Sequence, residues 1–343
     1  MVMGKDFNKF FRTIKFLLVF VICIGVLLCA GCSKKESTTE NLKEGGYTVT
    51  DLTNTKLTFS EKPQRIVSMS IGTDEILLDL VPWNRILSVT YLADDGGISN
   101  IVERVKSIPN RTHGSTPESV IGLNPDVVLI SDFFPPESYQ TLREMGMKVY
   151  VYKTPSNFEE IKASILELAQ VVGELEKGKQ MVAEMDARIQ KVQEKLGDIK
   201  EKRKVLFMHA MGAYYSPDGT FSDTCRLAGV EDVTKSLNYS QTCTLSQETI
   251  VQLNPDSFVI GDWNFDGKHS PEALKTELLS NQSYMTTNAG KNKSILVIPS
   301  AHLLTCSQQF VLGVEDMARA AYPEKFPWLY NYYIVYSKAY QII

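Results

Sequence analysis

The groups in this 343-residue chain best suited to chemistry are large flat rings and a few polar groups with fixed donor geometry. The rings are Tyr91, Phe133, Phe134, Tyr214, Tyr215 and Trp263, and the polar groups are Arg111, His113, His209 and His302. No Gly-rich phosphate loop, nucleophile elbow or paired His/Asp metal spacing accompanies them, so the chemistry they point to is recognition rather than turnover. Aromatic walls with a few convergent polar groups suit a site for a large ligand. Arg111 presents a planar fork that pairs bidentately with carboxylate or catecholate oxygens. The three histidines would form a free-metal site only if all of them, with a carboxylate, faced one ion. Met208 and Met211 flank His209 and read as core packing.

These residues lie at the ends of predicted strands. Strands are expected at 65–69, 86–90, 126–130, 148–152, 204–208, 257–260 and 294–298. They alternate with helices at 74–80, 117–123, 136–145, 221–228, 246–253, 271–279 and 306–321. That alternation predicts parallel sheets covered on both faces. In open parallel sheets, ligands lie beyond the carboxyl ends of the strands. The predicted cleft walls are therefore the loops at 70–73, 91–95, 110–114, 132–134 with Lys153, and 209–215 with 262–265 and 300–302.

Two stretches repeat at a constant offset. Residues 115–132 read STPESVIGLNPDVVLISD and residues 245–262 read LSQETIVQLNPDSFVIGD. Between them, residues 173–204 are proline-free and rich in Glu, Lys, Gln, Ala and Met, which favour helix. Leu175, Gly178, Val182, Met185, Ile189, Val192, Leu196 and Ile199 form one apolar stripe along it. Such a stripe also fits a coiled-coil dimer seam, but two similar units bracketing one helix favour two lobes joined by a strut of roughly 45 Å. The expected divisions are an N-terminal α/β lobe at 47–156, a helical connector at 157–203 and a C-terminal α/β lobe at 204–322. The tail at 323–343 is aromatic.

The N-terminus reads as an export signal. Lys5, Lys9, Arg12 and Lys15 precede an apolar run that ends in Leu28-Cys29-Ala30-Gly31-Cys32. Its end resembles a bacterial lipobox, which makes 1–31 a lipoprotein signal peptide, Cys32 the lipidated residue and 32–46 a flexible tether. Cys29 stands where Leu is usual, and a plain transmembrane anchor is the alternative. Removing 1–31 takes the net charge from −4 to −7, against nucleic-acid binding. With Cys32 lipidated, Cys225, Cys243 and Cys306 allow at most one disulfide, none is expected to be required, and their spacing matches no zinc motif.

Pro63-Gln64-Arg65-Ile66-Val67-Ser68, the two copies of Glu-x-(Val/Ile)-x-x-Leu-Asn-Pro-Asp and the ending Ala320-Ala321-Tyr322-Pro323-Glu324-Lys325-Phe326 carry a family resemblance. Over residues 47–326 the chain resembles the ABC-transporter solute-binding proteins for ferric siderophores, haem and vitamin B12. The resemblance implies an α/β fold of class III solute-binding type: two Rossmann-like lobes with parallel sheets, one bridging helix, and a cleft between lobes that hinge little. It implies a non-enzymatic receptor, lipid-anchored outside the cytoplasm, that hands a chelated iron or cobalt complex to a permease and its ATPase. It also implies that Glu118 and Glu248, at matching motif positions, dock a two-subunit permease, and that Arg111 sits where some siderophore-binding members carry a cleft arginine. Haem is disfavoured because no Tyr/His axial pair is recognisable. A free Zn²⁺ or Mn²⁺ receptor is the second binding reading, and an extracytoplasmic enzyme or a structural lipoprotein are the remaining ones.

Overall fold

The computed structural model describes residues 45–113, 118–217 and 219–326. The leader, Cys32, most of the tether and the aromatic tail from 327 lie outside the described residues.

A hairpin comes first. β1 (Tyr47–Thr50) pairs antiparallel with β2 (Lys56–Phe59) around Asn54, which takes a left-handed conformation in the turn. The first sheet then contains β3 (Ile66–Ser68), β4 (Ile86–Thr90), β5 (Asn110–Thr112), β6 (Val127–Ser131) and β7 (Val149–Tyr152), in the order β5-β4-β3-β6-β7 and all parallel. Its helices are α1 (Ile71–Leu80), α2 (Glu118–Ile121) and α3 (Pro136–Glu144). The connector consists of α4 (Phe158–Val171) and α5 (Leu175–Leu196). The second sheet orders β10 (Glu231–Asp232), β8 (Lys204–Phe207), β12 (Ser257–Gly261) and β13 (Ile295–Ile298), again all parallel. A two-stranded ribbon, β9 (Tyr214–Tyr215) with β11 (Cys243–Thr244), stands apart from it. The helices here are α6 (Thr220–Leu227), α7 (Gln247–Leu253), α8 (Pro271–Ser280), α9 (Asn288–Lys291), α10 (Ser300–Leu303) and α11 (Phe310–Ala321).

The strands alternate their side chains between two cores, as a pleated strand buried on both faces must. In the first sheet, Val67, Val128, Ile130 and Val151 pack on one face, while Ile66, Val127, Leu129 and Tyr150 pack on the other. The second core does not stop at the lobe boundary. It continues through Phe158, Ile165, Met185 and Val192 of the connector into Val205, Val259, Phe310 and Met317 of the second lobe. Each such side chain contributes about 1.5–3 kcal/mol on burial, so parting the lobes at this level is costly.

Three expectations are corrected. The strut is 22 residues long, roughly 33 Å, because Gly197 turns left-handed (φ 58°) and ends it. Its stripe packs on α4 and α11 of the same chain and not on a partner; Gly178 permits the close approach, since a Cβ there would lie 2.5 Å from that of Ala169. The stretch read as a loop at 110–114 contains the edge strand β5, and the β9–β11 ribbon and β10 escaped the pattern because two- and three-residue strands carry no periodicity. The last helix begins at Phe310, four residues later than expected, because residues 305–308 are spent on a buried contact between the lobes.

That contact centres on Glu75. Its side chain is fully buried on α1. One carboxylate oxygen accepts from Asn100 N and Nδ2 at 3.1 and 2.8 Å. The other accepts from the hydroxyls of Thr305, at 2.6 Å, and Ser307. Gln308 Nε2 donates to the Glu75 carbonyl and to Asp79, at 2.8 and 2.7 Å. Such a buried carboxylate is tolerated only because its acceptor sites are filled, and the bonds that fill them tie the lobes together at the base. Among the described residues no helix is long and apolar enough to cross a membrane.

Candidate ligand cleft

The doubled motif builds the scaffold of the site. Asn124 and Asn254 both take left-handed φ values, 46° and 44°, and turn the chain from helix to strand. Asp126 Oδ2 then accepts from Gln64 N and Arg65 N at 2.7 and 2.9 Å, and Asp256 Oδ2 accepts from Lys204 N at 3.0 Å. Each aspartate stitches its strand to the start of the neighbouring strand. At the far end, Asp132 Oδ1 accepts from Thr154 N at 2.7 Å and Asp262 Oδ1 from Ser300 N at 2.8 Å. These latches fix the loops that leave the carboxyl ends of the strands, where the cleft is expected.

On the first lobe, Tyr91 follows β4 and His113 follows β5; their rings stack 5.2 Å apart, and Tyr91 is exposed. Tyr91 is positioned from beneath. Asp74 Oδ2 accepts from Thr90 N and Oγ1, at 2.9 and 2.6 Å, and Asp74 is completely buried. Burial pushes its carboxyl up to about 7, against the hydrogen bonds from Thr90, and Oδ1 has no partner. Phe133 follows β6 and is 82 % exposed, with Phe134 edge-on behind it and packed on the core.

Arg111 is placed differently from its expected role. Its Nε and Nη2 pair with both oxygens of Asp94, at 2.6 and 2.8 Å. Its remaining N–H groups go to the carbonyls of Val105, Ile108 and Asn110. All five donors of the guanidinium are thus engaged, and the Arg111 hydrogen bonds hold the Asp94 carboxyl below its usual range. In this arrangement the guanidinium is spent on Asp94 and on the backbone of residues 105–110.

On the second lobe, the chain from His209 to Tyr215 turns back on itself at Gly212 (φ 104°) and displays Met211 and Tyr214 to solvent. Met211 is therefore a surface residue, whereas Met208 is in the core. His209 stacks on Phe265 at 5.8 Å, and burial, aided by the charge of His269, lowers its pKa. Trp263 lies 5.6 Å from Phe265, its backbone N–H donating to Ser300 Oγ at 2.9 Å. Tyr215 is buried instead, with its hydroxyl on the Tyr239 carbonyl. His302 Nδ1 pairs with Asp316 of α11 at 2.6 Å, which turns it toward the scaffold. Phe265 and Asp95, which fall within the predicted loops 262–265 and 91–95 but were not named, and Met211, read as core, join the exposed surface there. The exposed aromatic after a strand end was the one signal available for Phe265.

Among the described residues there is no group of three or more His, Cys, Asp or Glu side chains arranged to hold a metal ion. Cys225, Cys243 and Cys306 carry free thiols. Glu118 and Glu248 are both exposed in the first turns of equivalent helices, α2 and α7. Because these helices run back against the strands, their N-termini lie at the cleft end of each lobe.

Comparison with known proteins agrees with this geometry. The Periplasmic binding protein family model matches residues 66–302. An uncharacterized ABC transporter substrate-binding lipoprotein of Bacillus subtilis (strain 168) is 23% identical over 321 residues, 89% of this chain and 96% of the relative. A cobalamin-binding protein of Halobacterium salinarum (strain ATCC 29341 / DSM 671 / R1) is 21% identical, covering 79% of this chain and 72% of the relative. The apo periplasmic haem-binding protein of Roseiflexus sp. RS-1 superposes with a TM-score of 0.66 at 20% identity, over 76% of this chain and 99% of that one, and shares the fold. With parallel sheets in two lobes, a joining helix and a family model that spans both, this chain belongs to the periplasmic binding protein family.

Proposed function

We propose that this protein is the substrate-binding component of an ABC importer, held outside the cytoplasm by lipid on Cys32, and that it captures a bulky chelated metal complex. The observation that carries the reading is the character of the cleft walls. Tyr91, His113 and Phe133 on one lobe and His209, Trp263 and Phe265 on the other offer stacking faces, while the guanidinium of Arg111 is already neutralised by Asp94. Stacking surfaces of this kind suit a flat macrocycle or an aromatic chelate, and they favour a corrinoid over a strongly anionic ferric siderophore, which needs unspent cations. Glu118 and Glu248 are assigned to docking on a two-subunit permease, where a rim charge sets orientation and association rate. A free-ion receptor lacks support, because His302 is turned onto Asp316 and His113 and His209 end different sheets.

The test is tryptophan-fluorescence quenching of the full-length protein in detergent. The titrants are cyanocobalamin, cobinamide, ferric siderophores of each chelate class, haemin, Zn²⁺ and Mn²⁺. Saturable quenching by a corrinoid, weakened about tenfold by Phe265→Ala or Tyr91→Ala, is expected. Response to a free ion alone would replace this reading with the metal receptor. Response to an anionic chelate, lost on Arg111→Ala, would return Arg111 to the ligand.

A further inference from the structure

One hydrogen bond joins the two walls. Trp263, on the loop after β12, donates its indole Nε1–H to Asp95 Oδ2 on the loop after β4, at 2.8 Å. Both ends of this contact are built. Asp95 Oδ1 accepts from Gly97 N at 2.8 Å, and the Asp95 carbonyl accepts from Ile98 N and Ser99 N, so the carboxylate is fixed at the head of a tight turn. Trp263 is fixed at its own backbone by Ser300 Oγ; Gly261, two residues earlier, leaves that hydroxyl room, since a Cβ there would come 2.2 Å from it. The indole also lies directly over Gly97, where a Cβ would come 2.2 Å from Trp263 Cδ1. A side chain from the second lobe thus seats in a notch of the first, with a hydrogen bond at its tip.

We infer that Trp263 is a latch that closes the cleft mouth on Asp95, so that cargo enters only when the indole leaves the Asp95–Gly97 notch. The buried bonds of Glu75 hold the lobes at the base, and large domain motion is therefore not needed for admission. Moving one side chain and its loop opens the mouth. A closed resting state lowers the population able to bind, and removing the latch removes that penalty. The inference rests on the cleft assignment above, but the Trp263–Asp95 contact is open to test without any cargo.

The decisive experiment therefore has one arm free of ligand. Hydrogen–deuterium exchange is followed in the full-length protein and in its Asp95→Ala, Asp95→Asn and Gly97→Val variants. Asp95→Ala removes the acceptor, Gly97→Val crowds out the indole, and Asp95→Asn keeps an acceptor oxygen. Faster exchange is expected in the loops of both lobes, 91–99 and 262–265, for Asp95→Ala and Gly97→Val, with Asp95→Asn close to wild type. Changes confined to residues 95–99 would overturn the latch. In the second arm, stopped-flow mixing with cyanocobalamin reads the association rate, expected to rise about three- to tenfold in Asp95→Ala and in Trp263→Phe, and no further in the double variant. Independent, additive effects would also overturn it. If no variant binds cyanocobalamin, the corrinoid reading fails and the exchange data decide the latch.

Discussion

The two lobes use the same stitches to hold different walls. In each, a left-handed asparagine, an aspartate that accepts the amide of the neighbouring strand, and a second aspartate at the strand end recur 130 residues apart. The loops fastened by these stitches share little. The first lobe carries a Tyr91–His113 stack set on a buried carboxylate, together with a saturated arginine. The second carries a Trp263–Phe265–His209 array set on Ser300. The comparison teaches that repeated sequence marks what both lobes need in order to fold, while the unrepeated loops give each lobe a different wall. Within the repeat, Glu118 and Glu248 are matching carboxylates that both face solvent, which fits the docking role proposed for them. At Glu248 the hydrogen bonds from its own backbone N–H and from Ser246 hold the carboxyl below its usual range.

The largest effect that sharpens the comparison is on delivery. Reversing both rim charges, Glu118→Lys with Glu248→Lys, should lower cellular cargo uptake by about 100-fold, since like charges facing each other cost several kcal/mol. Cargo affinity of the isolated protein should stay unchanged. Uptake that survives the double reversal would leave the repeated glutamates with no shared role. Next come the stitches. Asp126→Ala and Asp256→Ala should each cost about 1–3 kcal/mol in urea unfolding. The first should be the larger, because Asp126 receives two backbone amides whereas Asp256 receives one amide and the side chain of Asn288. A reversed order would break the parallel between the lobes.

The smallest effect concerns what lies under the first wall alone. With the Asp74 carboxyl pushed up to about 7, the folded chain holds a proton that the unfolded chain has released above the ordinary range near 4. Stability attributable to this group is therefore greatest at low pH and is lost as pH rises from about 4 to 7, with a slope of at most about 1.4 kcal/mol per pH unit. Urea unfolding of wild type and Asp74→Asn at pH 5 and pH 8 checks this; the variant should lose less stability between them. Parallel losses would remove Asp74 as the source.

Much of this was legible in residue order. Strands and helices of the two sheets follow from alternating apolar runs, because a strand buried on both faces must be apolar throughout and its covering helix must show a 3.6-residue stripe. The side of the sheets on which the loops cluster followed as well, since parallel strands all end on the same side, and Tyr91, His113, Phe133, His209 and Trp263 follow those strand ends. The strut length was misjudged by the residues after Gly197, where charged helix formers continue but the left-handed glycine and packing against the second lobe stop the helix.

Side-chain partners were decided only in three dimensions. Arg111 reads in sequence as an unspent cation, and only the fold brings Asp94 and three carbonyls around it. Glu75 reads as one more acid on a helix, yet it becomes the bolt between lobes because residues 230 and 232 positions away supply its hydroxyl donors. Trp263 and Asp95 are 168 positions apart and meet because each lobe folds its own loop toward the other. Local sequence determined the elements and the end of the sheet where a ligand belongs, since propensity and periodicity act over a few residues. The tertiary structure decided which charges are spent, which rings are exposed beyond the strand ends and which loops of the two lobes meet, because those depend on desolvation and on contacts between groups far apart in the chain.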